Sequence, residues 1–468
     1  MNSRRRFGIL VFICTTAFAI LACTCATLGI GEEPTPTPTS LPPTSAPTPT
    51  LPPVATELPP TPEPPPTKPV GDAQLEIVDV NGYQDQFDFV FISGLIQNNS
   101  GAPVQDISVE IEVFDSADVS IYKDTTFAHL FTVLPGEQIP FSYSIFDELV
   151  DPARFEATVF DATVLDSAPD SVTVEDQNVR LIFDDDGDVH LSGELVATDG
   201  EPVEIVSLAG GLFDGDGNLL AAGTSFGNIN YIVPDNPGPF SIHLTSPATG
   251  FPDEGNWELY IEAVRPNEIP SLSFTLSEVY DYRDGFNNLH VVGDVTNDNT
   301  EAVTVRLIAA IYDEDENVID VSTTDTPFFT ISPSETIPYD LSGWSALDYT
   351  DDLVGSSLLV QVDHGWTWTK DDNTVVLETT GEDNTFDEFE GVFTGQIVNN
   401  SGGPVTGATI VVAFYDKTTD ELRGTGFDWI FDEILAGGTA DYEVTIPISA
   451  GFDINSASAA WFVKGDLP

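Results

Sequence analysis

Gly94-Leu95-Ile96-Gln97-Asn98-Asn99-Ser100-Gly101-Ala102-Pro103-Val104 returns late in the chain as Gly395-Gln396-Ile397-Val398-Asn399-Asn400-Ser401-Gly402-Gly403-Pro404-Val405, with eight of eleven positions identical. Weaker copies start at Gly193 (GELVATDGEPV) and Gly293 (GDVTNDNTEAV), so the glycines are 99, 100 and 102 residues apart. A second landmark follows each copy: Phe114-Asp115, Phe213-Asp214, Tyr312-Asp313 and Tyr415-Asp416. A third is a turn before an apolar strand, at Leu134 (LPGEQIPF), Val233 (VPDNPGPF), Ile331 (ISPSETIPY) and Leu435 (LAGGTADY). Three landmarks in fixed order, four times over, define a tandem repeat.

Each copy reads as β structure. Ser108-Val109-Glu110-Ile111-Glu112-Val113-Phe114 and Trp257-Glu258-Leu259-Tyr260-Ile261-Glu262 alternate with period two, which puts one set of side chains in a core and the acidic set in water. Asn-Gly, Asp-Gly and Gly-Asn pairs supply hairpin turns. No stretch carries an apolar helical period with caps. About 100 residues of short, evenly spaced strands match an immunoglobulin-like sandwich, without the Cys–Trp–Cys core of antibody domains. The expected fold class is all-β: four tandem immunoglobulin-like antiparallel sandwiches, at residues 71–170, 171–271, 272–373 and 374–468.

A glycine-bearing strand, an Asn-rich turn, a strand ending in aromatic-Asp, then Pro-Gly-Glu and Pro-Phe resembles the FxLYD-type repeat of bacterial envelope proteins. The resemblance covers residues 71–468 and is best in the first and last copies; copies two and three lose the Asn-Asn-Ser turn. It implies an Ig-like sandwich in an exported protein and no established chemistry.

The chain opens MNSRRR, continues with the apolar run FGILVFICTTAFAILA, and reaches Cys23. A basic, then apolar, then small-residue order describes an export signal. Ile20-Leu21-Ala22-Cys23 resembles a bacterial lipobox, which implies a signal peptide over residues 1–22, cleavage after Ala22 and a lipid on Cys23. The alternative is an uncleaved anchor helix, since Phe7 to Gly31 is long enough to span a bilayer at about 20 residues. Both place Arg4, Arg5 and Arg6 inside and the remainder outside. Residues 23–70 are a Pro/Thr-rich linker, expected to be disordered and extended. Its densest part, 34–70, reaches on the order of 110 Å as a polyproline stalk.

The 468 residues carry 77 Asp and Glu against 14 Lys and Arg, a formal charge of −63. Such a surface repels phosphate backbones, so nucleic-acid binding is not expected, and it attracts cations and basic partners. The cysteines are Cys14, Cys23 and Cys25, so the repeats fold without disulfides, Cys-zinc sites or thiol catalysis.

Candidate chemistry is sparse. Gly223-Thr224-Ser225-Phe226-Gly227 fits a nucleophile elbow, but that motif needs a strand-to-helix turn and its surroundings here read as strand. The five histidines show no metal spacing. Asp214, Asp216 and Asn218 place oxygens at alternating positions around glycine, as do Asp184–Asp188 and Asp313–Asn317, and calcium favours such sets. The simpler reading is the hairpin turn after the aromatic-Asp strand. His364, Trp366 and Trp368 fall on one face if the strand continues, where Trp366 and Trp368 could stack on sugar; packing in the core or at a repeat junction is the competing reading, and a bulge at Gly365 would change the answer.

The expectation is a non-enzymatic protein of the cell exterior, anchored to the membrane by its N-terminal lipid or helix, with a structural, adhesive or ligand-display role. Its expected partners are wall polymers, glycans or other surface proteins. A carbohydrate-binding protein and a calcium-stiffened adhesin are the alternatives.

Overall fold

The computed structural model describes residues 74–468 apart from 86–87, 184–187, 226, 229, 235, 245–255, 268–271, 345–356 and 450–452. Cys23 and the expected signal and stalk lie outside the described residues, as does most of the Asp184–Asp188 loop. All described strand pairing is antiparallel, and the described helices are two single-turn 3-10 segments. No helix among the described residues is long and apolar enough to cross a membrane.

Each copy is a two-sheet sandwich. In the first, strands Leu75–Gln84, Val90–Asn98 and Gln138–Ile145 form one sheet, and Ser120–Phe127, Val104–Asp115 and Pro152–Val164 the other. The fourth repeats this with Glu378–Phe386, Glu390–Val398 and Thr439–Pro447 against Leu422–Ile430, Gly407–Asp416 and Ala457–Asp466. The expected alternation holds in Val104–Asp115, where Ile107, Val109, Ile111 and Val113 are buried. Burying such a side chain fully contributes ~1.5–3 kcal/mol.

The sequence landmarks have physical reasons. The third landmark's aromatic lies directly across the sheet from the first landmark's glycine: Phe141 opposite Gly94, Phe240 opposite Gly193, Tyr339 opposite Gly293, Tyr442 opposite Gly395. The ring lies over the glycine in three copies, where a Cβ would come within 2.4–2.7 Å of Phe141, Tyr339 or Tyr442. The fifth residue of the motif is also structural. Asn98, Asn297 and Asn399 are fully buried, and each donates its amide to two backbone carbonyls, Val133 O, Ile331 O and Ile434 O among them. Copy three thus keeps the anchoring asparagine although its turn sequence diverges, whereas copy two has Ala197 there.

Residues 66–468 form one compact unit that contains its own cores. The first and fourth repeats build their central clusters from their own buried residues, the fourth between Leu377 and Val463. Between them, the core of repeat two extends into Ile308, Ala310 and Tyr312 of repeat three, and that of repeat three includes Val411 of repeat four. Neighbouring sandwiches therefore meet through packed side chains.

Candidate functional site

The junctions between repeats are the most elaborated polar sites among the described residues, and two positions recur at each. The first pairs the residue after the landmark glycine with the aromatic of the next repeat's aromatic-Asp pair. Leu95 packs in one cluster with Phe213; the Tyr312 hydroxyl donates to Glu194 at 3.0 Å; the Tyr415 hydroxyl donates to Asp294 at 2.9 Å. An apolar partner goes with phenylalanine and an acid with tyrosine. Burial holds the Asp294 carboxyl above its usual range.

The second position lies on the strand paired with the aromatic-Asp strand or, for Asp363, one residue past its end, opposite the residue six places before the aromatic. Its occupants are Glu262, Asp363 and Lys464. Each reaches a loop of the preceding repeat, just before the residue that closes that loop onto the sheet (Val133, Ile232 or Ile331). Glu262 accepts from the Phe131 and Thr132 amides at 2.8 and 3.1 Å. Asp363, fully buried, accepts from the Asn230 amide at 3.2 Å and its side-chain nitrogen at 3.0 Å. Lys464, also buried, donates to Thr330 O at 2.9 Å, to Ser332 Oγ and to Glu335, and lies over the Phe328 ring. The expectation that the acidic face of these strands meets water thus fails at Glu262, because repeat one covers it; its neighbour Tyr260 packs against the first core.

His290 marks the junction of repeats three and four. The ring is buried between Asp340, 2.8 Å from Nδ1, and Asp284, 3.4 Å from Nε2. Tyr282 stacks on it at 5.0 Å between centroids and donates its hydroxyl to Pro447 O of the next repeat. Burial works against charging this imidazole, but the hydrogen bonds to the two carboxylates outweigh it and hold its pKa at about 9. Burial raises the Asp340 carboxyl, while for Asp284 the bonds from His290 and Asn288 outweigh burial and lower it. Sequence spacing gives this histidine no partner, because Asp340 lies 50 residues away and only the fold joins them.

The residues singled out from sequence separate differently. Asp214 turns inward on its own hairpin: one carboxylate oxygen accepts from the Asp216 and Asn218 amides at 2.9 and 2.8 Å, the other from the Asn218 side chain at 2.8 Å. Asp115, Asp313 and Asp416 close their own turns in the same way, which is why the aromatic-Asp pair recurs. Among the described residues no group of three or more His, Cys, Asp or Glu side chains is arranged to hold a metal ion. Ser225 donates to Ser241 O at 3.0 Å at the end of a strand.

His364, Trp366 and Trp368 do not share a strand face. Residues 364–366 form a 3-10 turn capped by Asp363, which accepts from the Gly365 amide, and the strand resumes only at Trp368. Gly365 is pressed against repeat two, where a Cβ would stand 2.5 Å from Asn230 Cβ. Trp366 and Trp368 are 49% and 48% exposed, which sets aside the core-packing reading, and the Arg306 guanidinium lies 5.2 Å from the Trp366 ring.

No family model and no curated protein matches the chain. Among solved structures, the native alpha-2-macroglobulin of Escherichia coli is 10% identical, over 83% of this chain and 27% of that one, with a TM-score of 0.12. A Salmonella alpha-2-macroglobulin mutant is 11% identical, over 83% and 29%, with a TM-score of 0.13. This chain thus spans under a third of the length of these two proteins, and likenesses at that level carry no argument about what it does.

Proposed function

We propose that the protein is a non-catalytic surface lipoprotein, anchored through Cys23, whose Pro/Thr stalk carries a stiffened row of Ig-like sandwiches that display a binding surface outside the cell. The observation that carries the reading is the built junction: packed and hydrogen-bonded side chains link each repeat to the next, as a spacer that resists bending requires. The basic-apolar-small order before Cys23 supports export and anchoring. Cells producing the full chain should incorporate labelled fatty acid into it, and Cys23→Ser should abolish the label. Unlabelled wild-type protein that stays in the membrane fraction at unprocessed size would favour the uncleaved helix.

A second reading, glycan binding, is supported by the exposed faces of Trp366 and Trp368. Trp366→Ala and Trp368→Ala should each weaken retention on immobilised glycans while leaving the melting temperature of residues 66–468 unchanged. Loss of folding in both variants would return these rings to a packing role.

A further inference from the structure

Repeat four carries its own copy of both junction positions, and among the described residues nothing covers them. Gln396 stands where Leu95, Glu194 and Asp294 stand, but unlike the covered Leu95 and Glu194 it is exposed. The loop before Ile434, which closes onto Val405 as Val133 closes onto Val104, presents Asp432 and Glu433. That is where the other three repeats receive Glu262, Asp363 and Lys464. Here it is an open, shallow groove rimmed by Trp429. Trp429 and Phe427 alternate along the edge strand Leu422–Ile430, and they are 42% and 45% exposed.

We infer that this face is a docking surface for another protein, which presents a β-strand and inserts a lysine or arginine between Asp432, Glu433 and Trp429. The inference does not depend on the membrane anchor. The interface continues one built three times within the chain, so its shape already accepts a side chain carried on a strand or at a strand's end. Charge selects the occupant. In repeat three the inserted residue is Lys464, held by Glu335 and lying over the Phe328 ring. Repeat four has Gly438 in place of Glu335, but Asp432 and Glu433, at the positions of Phe329 and Thr330, bring carboxylates to the groove beside an exposed ring. A second copy of this chain is the wrong occupant. Its residue at the inserting position is the exposed Asp161, opposite Ser108, which would bring a third carboxylate to two.

The probe is repeat four itself, residues 374–468, whose central cluster is built from its own residues and whose inserting residue is Lys464. Asp432→Lys and Glu433→Lys in the probe block its own groove, so that it can dock only through Lys464. Titrated into residues 66–468 and followed by sedimentation, it should bind. Lys464→Glu in the probe, or Asp432→Lys with Glu433→Lys in the receptor, should each weaken binding at least tenfold, while circular dichroism shows both partners folded. Absence of binding, or binding that ignores the receptor's two substitutions, overturns the inference. Self-association of wild-type residues 66–468 without probe overturns the choice of a basic partner in favour of a second copy. Retention of the receptor on polysaccharide that depends on Trp429 but not on Glu433 would put a sugar there instead.

Discussion

The first and third junctions do the same mechanical task with opposite chemistry. Between repeats one and two, Phe213 packs with Leu95, Leu219 and Ala222, and Glu262 spends its charge on two backbone amides. Between repeats three and four, Tyr415 bonds Asp294, Lys464 is buried with Glu335, and a charged His290 lies nearby between two carboxylates. One fold position thus tolerates either solution provided that both members of the pair change together. The apolar junction depends on area and fit. The polar one depends on every buried group keeping its partner, because an orphaned charge costs more than the pair contributes.

That contrast can be broken most severely at His290. His290→Leu leaves the buried Asp284 and the half-buried Asp340 without their cation and should destabilise residues 66–468 by about 3–5 kcal/mol in urea unfolding. The wild-type pH dependence follows from the same group. The folded-state pKa of about 9 lies above the ordinary 6.5, so the stabilisation is complete below about pH 6.5 and is lost as the pH rises through about 9. The unfolding midpoint should fall between pH 7 and 9.5, and His290→Gln should flatten that fall; an unchanged slope would remove His290 as its source. A smaller loss, about 1–3 kcal/mol, is expected from Tyr415→Phe, which leaves Asp294 half-buried with no donor from repeat four. Smallest of all is the effect of metal removal. The oxygens of Asp214 are already engaged by Asp216 and Asn218, so EDTA should leave the melting temperature of residues 66–468 unchanged. A clear drop would favour the calcium-stiffened reading.

Much of the fold was legible because its causes are local. Gly94 is glycine because Phe141 lies over it, Asp115 closes its own hairpin, and Val109 and Ile111 alternate because one face of the strand is core. The site was less legible because its causes lie between repeats. Trp366 and Trp368 read as one strand face, yet Asp363, committed to Asn230 of the preceding repeat, caps a turn there and breaks the strand. The junction pairs did leave a trace in the sequence: acid after the landmark glycine goes with tyrosine one repeat later, and leucine goes with phenylalanine. Comparing the copies at an offset of one repeat, rather than in register, exposes it.

The most direct measurement of this account is a double-mutant cycle across the last junction, with Asp294→Leu and Tyr415→Phe made singly and together in residues 66–468. The pair then becomes the one already used by Leu95 and Phe213. The double variant should recover most of what Tyr415→Phe loses. A double variant whose loss equals or exceeds the sum of the two single losses would contradict the claim that one junction geometry accepts either chemistry.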